Sequence, residues 1–209
     1  MAKEQRVIDT TTDTGGYILG LLWGSLSLYE NGFWFRHRDR WYVETVKSYF
    51  GITTVVQKVS SGTGPQYRLK IVRPKWVEPI SSLLGSRDWQ PRNAQERPYP
   101  SGNLSDRGFI RAWVEMHSSV DVIQARHRNG LYYPQKRLRI YGNWALLEEM
   151  NYILSAATGL RLRKLQPTEN KITKGLYYHG YNVSVVSDWL YDGAEIWHPK
   201  SREKLVGLP

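Results

Sequence analysis

Apolar residues crowd the stretch from 16 to 24, GYILGLLWG, densely enough for a buried helix, with Thr14 ahead of it as a candidate cap. The pattern then changes period. SLSLYENGFWFRHR alternates apolar and polar positions on both sides of Asn31-Gly32, the dipeptide favoured at tight hairpin turns, and predicts two strands. DRWYVETVKSYF (39–50) spaces Trp41, Val43, Val46 and Phe50 near a helical period, and Gly51 stops it. ITTVVQKV and YRLKIV predict two more strands around the turn-rich SSGTGPQ, and PKWVEPISSLLG predicts a short helix.

Periodicity vanishes between 86 and 105, where proline and polar residues predict a linker. After it the order returns: an apolar helix at 106–116, a strand, Asn129-Gly130, a strand, a helix from Trp144 to about Ala157, two strands and a short helix. YILGLLWGSLSL aligns with FIRAWVEMHSSV at an offset of 92, and the two Asn-Gly pairs lie 98 apart. The expected class is therefore α+β, with two pseudo-symmetric αββαββα halves. The boundaries are a tail at 1–14, a first half at 15–85, the linker at 86–105, a second half at 106–191 and a tail at 192–209.

Period-two alternation also sorts side chains by face. Tyr67, Leu69 and Ile71 share one face of their strand and Arg68 and Lys70 the other; Leu138 and Ile140 oppose Arg137 and Arg139. Trp34, Arg36 and Arg38 fall together, as do Gln124, Arg126 and Arg128, and Arg161 with Arg163. One strand with two outward cations is an ordinary solvated edge. Five in two matched halves predict sheets with an apolar face toward helices and a long cationic face toward solvent.

Charge sharpens this picture. Lys and Arg total 29 against 19 Asp and Glu, a formal net charge of +10, which puts polyanions first among partners, nucleic acid ahead of membrane surfaces. A basic but merely solvated surface is the alternative. Nine Trp and fourteen Tyr within 209 residues can build a core. With no cysteine, disulfides, thiolate-bound zinc and thiol catalysis are excluded. The polar N-terminal stretch lacks an apolar leader core and no later run approaches the length of a membrane span, so a cytoplasmic protein is expected, without membrane contact. His127 with His198, and His37 with His179, have no metal-ligand spacing, and Ser25, Ser27, Ser118 and Ser119 lack a nucleophile-elbow signature.

The duplicated helix, strand and Asn-Gly order, with YILGLLWGSLS and FIRAWVEMHSSV as the two helices and WLYDGAEIWHPKSREKL at the end, resembles the single-chain LAGLIDADG homing endonucleases over residues 15–204. That resemblance implies two central packed helices and antiparallel-sheet saddles that bind DNA. It also implies small residues at the helix interface, Gly20 and Gly24 in the first helix and Ala112 in the second. Each helix of that family ends in an acid that holds divalent metal against scissile phosphate, because hard cations need oxygen ligands. The matching positions here are Ser25 and His117, neither an acid. No carboxylate occurs between Gly20 and Glu30, and Glu115, two residues before His117, points to another side of its helix. His117 reads either as a ligand or as a hydrogen-bonding filler, and Lys200 either as the family's basic active-site neighbour or as a tail charge.

The expectation is a monomeric, sequence-preferring double-stranded DNA-binding protein without cleavage activity, metal or cofactor, acting in transcription regulation. Its candidate contacts are Arg36, Arg38, Arg68, Lys70, Gln124, Arg126, Arg128, Arg137, Arg139, Arg161 and Arg163. The alternatives are an active or weakly active endonuclease using Glu115 or an acid supplied from elsewhere, an RNA-binding maturase-like splicing factor, and a protein-interaction module.

Overall fold

The computed structural model describes residues 7–62, 64–87, 89–90, 97–169 and 173–207. By its internal packing the chain forms two compact units: the first runs to residue 94 and takes in 100–109, and the second holds 95–99 and everything from 110. Among the described residues there are seven helices and two four-stranded antiparallel sheets. Among the described residues no helix is long and apolar enough to cross a membrane.

In the first unit the elements are α1 (Asp13–Ser25), β1 (Leu26–Tyr29), β2 (Gly32–His37), α2 (Arg40–Tyr49), β3 (Gln57–Ser61), β4 (Gly64–Val72) and α3 (Pro74–Leu84), with the sheet ordered β1-β2-β4-β3. The cap of α1 is Thr12, whose hydroxyl accepts from Gly15 N at 3.0 Å; Thr14, expected there, is already helical. Asp13 in the first turn gains from the helix dipole, which favours the earlier start. Asp39 caps α2, and Gly51 at φ 59° turns the chain out of it. The core is built as the alternation predicts. Phe33 pairs with Ile71 and Phe35 with Leu69, all essentially inaccessible, beneath Leu21 and Leu22 of α1 and Val43 and Val46 of α2.

The first hairpin differs from its expected form. Tyr29 pairs with Gly32, so Glu30 and Asn31 make the connection and Gly32 is a strand residue. Its glycine answers to space: a Cβ there would lie 1.9 Å from the Ile71 carbonyl oxygen of the neighbouring strand. Residues 52–56, read as the start of a strand, precede β3. The stretch read as a linker contains a packed residue. Within 86–105, Trp89 is buried with its ring 4.5 Å from that of Trp23, and its carbonyl accepts from Leu28 N at 2.8 Å.

The second unit repeats the order with α4 (Asp106–His117), β5 (Ser118–Arg126), β6 (Tyr132–Gly142), α5 (Trp144–Thr158), β7 (Gln166–Pro167), β8 (Lys174–His179) and α6 (Tyr181–Tyr191), its sheet ordered β5-β6-β8-β7. A further helix, α7 (Pro199–Val206), occupies the stretch read as a tail. The β5–β6 connection is a turn closed by Gly130 N donating to His127 O, with Gly130 at φ 87° and His127 pairing to Leu131. Residues 161–164 are not a strand, contrary to the alternation of Arg161 and Arg163. The buried Asn151 of α5 takes the place of a strand partner there: its amide donates to Arg163 O at 2.8 Å and accepts from Arg163 N at 3.1 Å.

The first turn of α4 belongs to the first unit, where it meets α1 backbone to backbone. A Cβ on Gly108 would lie 2.3 Å from Asp13 O, and one on Gly16 would lie 2.5 Å from Ser105 O. Ser105 N donates to Thr10 O at 2.7 Å beside this contact. Gly20, Gly24 and Ala112 are buried.

Candidate nucleic-acid interface

The outward face of the first sheet is organised around one indole. Because β2 and β4 pair Trp34 with Lys70 and Arg36 with Arg68, the four side chains stand on the same face. The Arg36 and Arg68 guanidinium carbons lie 4.9 and 4.8 Å from the Trp34 ring centre, and Lys70 Nζ lies 5.9 Å from both Trp34 and Tyr29. Each such contact holds a cation at the indole by about 0.5–1 kcal/mol at an exposed site without neutralising its charge. Gln57 of β3 accepts from Arg68 Nη2 at 2.7 Å and fixes that fork from the other side. Among the described residues no ion pair engages Arg36, Arg68 or Lys70, and no strand of this face contributes a carboxylate. Arg38 is exposed just beyond the end of β2.

The matching face of the second sheet is built differently. Arg137 is opposite Asp121 on β5 and His179 on β8, while Arg139 is opposite Ser119 and Tyr177. Asp121 accepts from Arg137 Nε at 2.9 Å and Nη2 at 2.6 Å, a two-point ion pair, and from Arg139 Nη2 at 3.0 Å. The Arg137 hydrogen bond, followed by the charges of Arg137 and Arg139, holds the Asp121 carboxyl below its ordinary range. Burial, then the charges of Arg137 and Arg163, push His179 below the usual imidazole value. Next to these residues an open depression of about 560 Å³ is lined by Arg163, Lys164, Gln166, Pro167, Tyr177 and His179.

The structure does not gather all the expected residues on these faces. Gln124 pairs with Pro134 and Arg126 with Tyr132, positions in step with Leu138 and Ile140, so both lie on the face opposite to Arg137 and Arg139. Their exposure has another origin. Lys136, also on that face, donates to Leu205 O of α7 at 2.7 Å, and beyond it the hairpin runs on, leaving Val122 53% and Tyr132 67% exposed. Arg128 is in the hairpin tip, and Arg161 is exposed outside any strand. Asp121, Tyr177, His179 and Gln57 were absent from the sequence-based set. Only the register, which places them opposite named arginines, identifies them.

At the helix ends, Ser25 closes α1 and His117 closes α4, its ring 4.1 Å from Trp113. Glu115 is committed elsewhere: Oε1 accepts from the Tyr191 hydroxyl and Oε2 from His198 N, each at 3.0 Å. One turn earlier the fully buried Arg111 donates to Leu190 O and Ile196 O, both at 2.9 Å. This pair fastens the segment that follows α6. His198 accepts from Ser201 N as the cap of α7, and His37 Nδ1 accepts from Asp39 N. Lys200 is exposed in the first turn of α7. Among the described residues no group of three His, Asp or Glu side chains could hold a metal ion.

The chain is similar in fold to LAGLIDADG homing endonucleases. The I-LtrWI enzyme bound to target DNA superposes with a TM-score of 0.56 at 8% identity, over 91% of this chain and 87% of that one. I-CpaMI bound to uncleaved DNA gives 0.55 at 14% identity over 90% and 87%, and I-AabMI bound to uncleaved DNA gives 0.54 at 11% over 90% and 86%. No family model and no curated protein matches the sequence. The two-repeat α+β architecture expected from the sequence is thus the LAGLIDADG-like fold. The residues at its helix ends do not fit the divalent metal of nuclease chemistry. A serine hydroxyl carries no charge and imidazole prefers softer ions than magnesium, while Glu115 is held by the Tyr191 hydroxyl and the His198 amide.

Proposed function

We propose that this protein binds double-stranded DNA with sequence preference, as a monomer, and does not cut it, a combination suited to transcription regulation. The observation that carries the reading is the first sheet's outward face, where Arg36, Arg68 and Lys70 are held at Trp34 with no carboxylate on its strands. Unneutralised, positioned cations on antiparallel strands suit the major groove of B-form DNA, which admits β-ribbons and presents guanine acceptors to arginine. The deep, narrow major groove of duplex RNA refuses such a surface, which places RNA second. DNA-bound solved structures of the same fold support this choice. Absence of cleavage is supported by Ser25 and His117 at the helix ends and by the engagement of Glu115 with Tyr191 and His198.

Selection of bound duplexes from a randomised DNA pool tests the reading: one extended motif should be enriched. A plasmid carrying that motif should remain supercoiled in Mg²⁺ or Mn²⁺. Failure to enrich any duplex, or preference for structured RNA over DNA, overturns the proposal; nicking lost in Glu115→Gln replaces it with the enzyme alternative.

A further inference from the structure

The two sheets present different electrostatics to a common kind of partner, and one side chain makes the difference. In the first sheet the outward cations rest on an aromatic ring and keep their full charge. In the second, Asp121 stands between two arginines on the same face, and it is the one carboxylate on the strands of that face among the described residues. Resting on the DNA-binding reading, we propose that Asp121 is a specificity-determining residue, which withholds Arg137 and Arg139 from phosphate and reserves them for guanine edges.

The argument follows from what the carboxylate occupies. Arg137 spends Nε and Nη2 on Asp121, the edge a guanidinium would offer a phosphate in a two-point contact, and Arg139 spends Nη2. A phosphate arriving at this face meets a carboxylate of its own sign, which repels it from the donors still free and must be displaced before the Nε–Nη2 edge of Arg137 can be taken. Because every sequence supplies phosphate, the loss falls on all duplexes alike. A guanine edge presents two neutral acceptors, O6 and N7, which the remaining guanidinium donors can meet while the ion pair persists. The three groups are partly exposed, at 24% for Arg137, 29% for Arg139 and 35% for Asp121, so a base edge can reach them. The two-point contact also holds the Arg137 fork in a fixed plane, which favours the directional contact over the diffuse one.

Affinity for an unselected random-sequence duplex and for the duplex enriched by the wild-type protein, each across a salt series, tests the idea in Asp121→Asn and Asp121→Ser. Asparagine keeps the shape and removes the charge; serine removes both, and melting curves verify that each variant folds. Both variants should bind random duplex about tenfold more tightly, with a salt slope steeper by about one, because a released arginine now contacts phosphate. Their ratio of enriched to random affinity should fall, and a repeated selection should lose guanine preference at one or more positions. If the wild type enriches a motif and both variants keep its ratio, slope and motif, Asp121 is a structural ion-pair partner only and this inference alone is overturned. If the wild type enriches no duplex, the DNA-binding reading falls and takes the inference with it.

Discussion

Glu115 separates two roles that a carboxylate near a helix end could have. Accepting from the Tyr191 hydroxyl and the His198 amide, it is part of the scaffold. Glu115→Ala should therefore destabilise the protein by about 1–3 kcal/mol, since two partly buried donors lose their acceptor, while DNA affinity of the folded fraction stays unchanged. Denaturant unfolding and electrophoretic shifts measure the two quantities. His179 gives a residue-level test of the second sheet. Its pKa lies below the ordinary 6.5 in the free protein, owing to burial and then Arg137 and Arg163, opposed by Asp121. Protonation therefore favours the unfolded chain: the His179 contribution to stability is complete above pH 6.5 and declines as pH falls below it. The negative field of a bound duplex, which requires no phosphate in contact with Arg137, would offset the neighbouring arginines and raise this pKa, so binding should take up a proton and tighten as pH drops through the same window. Imidazole titration by NMR, with and without duplex, reads the shift; an unmoved His179 would place the nucleic acid elsewhere.

Elements were legible in the sequence to the extent that one chain segment determines them. Helix α2 and the inward Phe33, Phe35, Leu69 and Ile71 follow from local period. What depends on a partner strand did not. Alternation divides β5 into two faces but leaves open which one continues the face of β6, so Gln124 and Arg126 were grouped with residues from which the register separates them. Gly32 and the Arg163 segment misled for the same reason, being set by the Ile71 carbonyl and by Asn151. The approach of α4 to α1 is likewise a two-element property, carried by Gly16 and Gly108. A methyl at Gly108 would sit 2.3 Å from Asp13 O, with helix backbone on both sides and no flexible atom to yield. Gly108→Ala should cost about 1–3 kcal/mol or more, read as a lower denaturation midpoint, whereas Gly62→Ala, with nothing within 4 Å, should cost little.

For the molecule as a whole, under the proposed function the net charge of +10 would set the attraction to DNA, and the placement of the cations how that attraction divides. The double variant Arg68→Ala with Lys70→Ala should weaken binding to both specific and scrambled duplexes and lower the salt slope by about one to two. A double variant at Arg161 and Lys200, both exposed and outside any strand, is the matched control and should change the slope less. Equal effects from the two would mean that the sheet faces are merely solvated and that only total charge matters.

The fastening of the segment after α6 bears on the order in which the chain can mature. Arg111 and Glu115 are synthesised some eighty residues before the carbonyls, hydroxyl and amide that satisfy them, since their partners lie 76 to 85 positions downstream. A ribosome releases the first unit with nearly all its contacts available, so that unit can form while translation continues. The second must wait with a guanidinium and a carboxylate it cannot bury until Ile196 and His198 leave the exit tunnel. Its completion is thereby postponed until residues 190–198 have been made, and any substitution or insertion that disturbs them acts on that step.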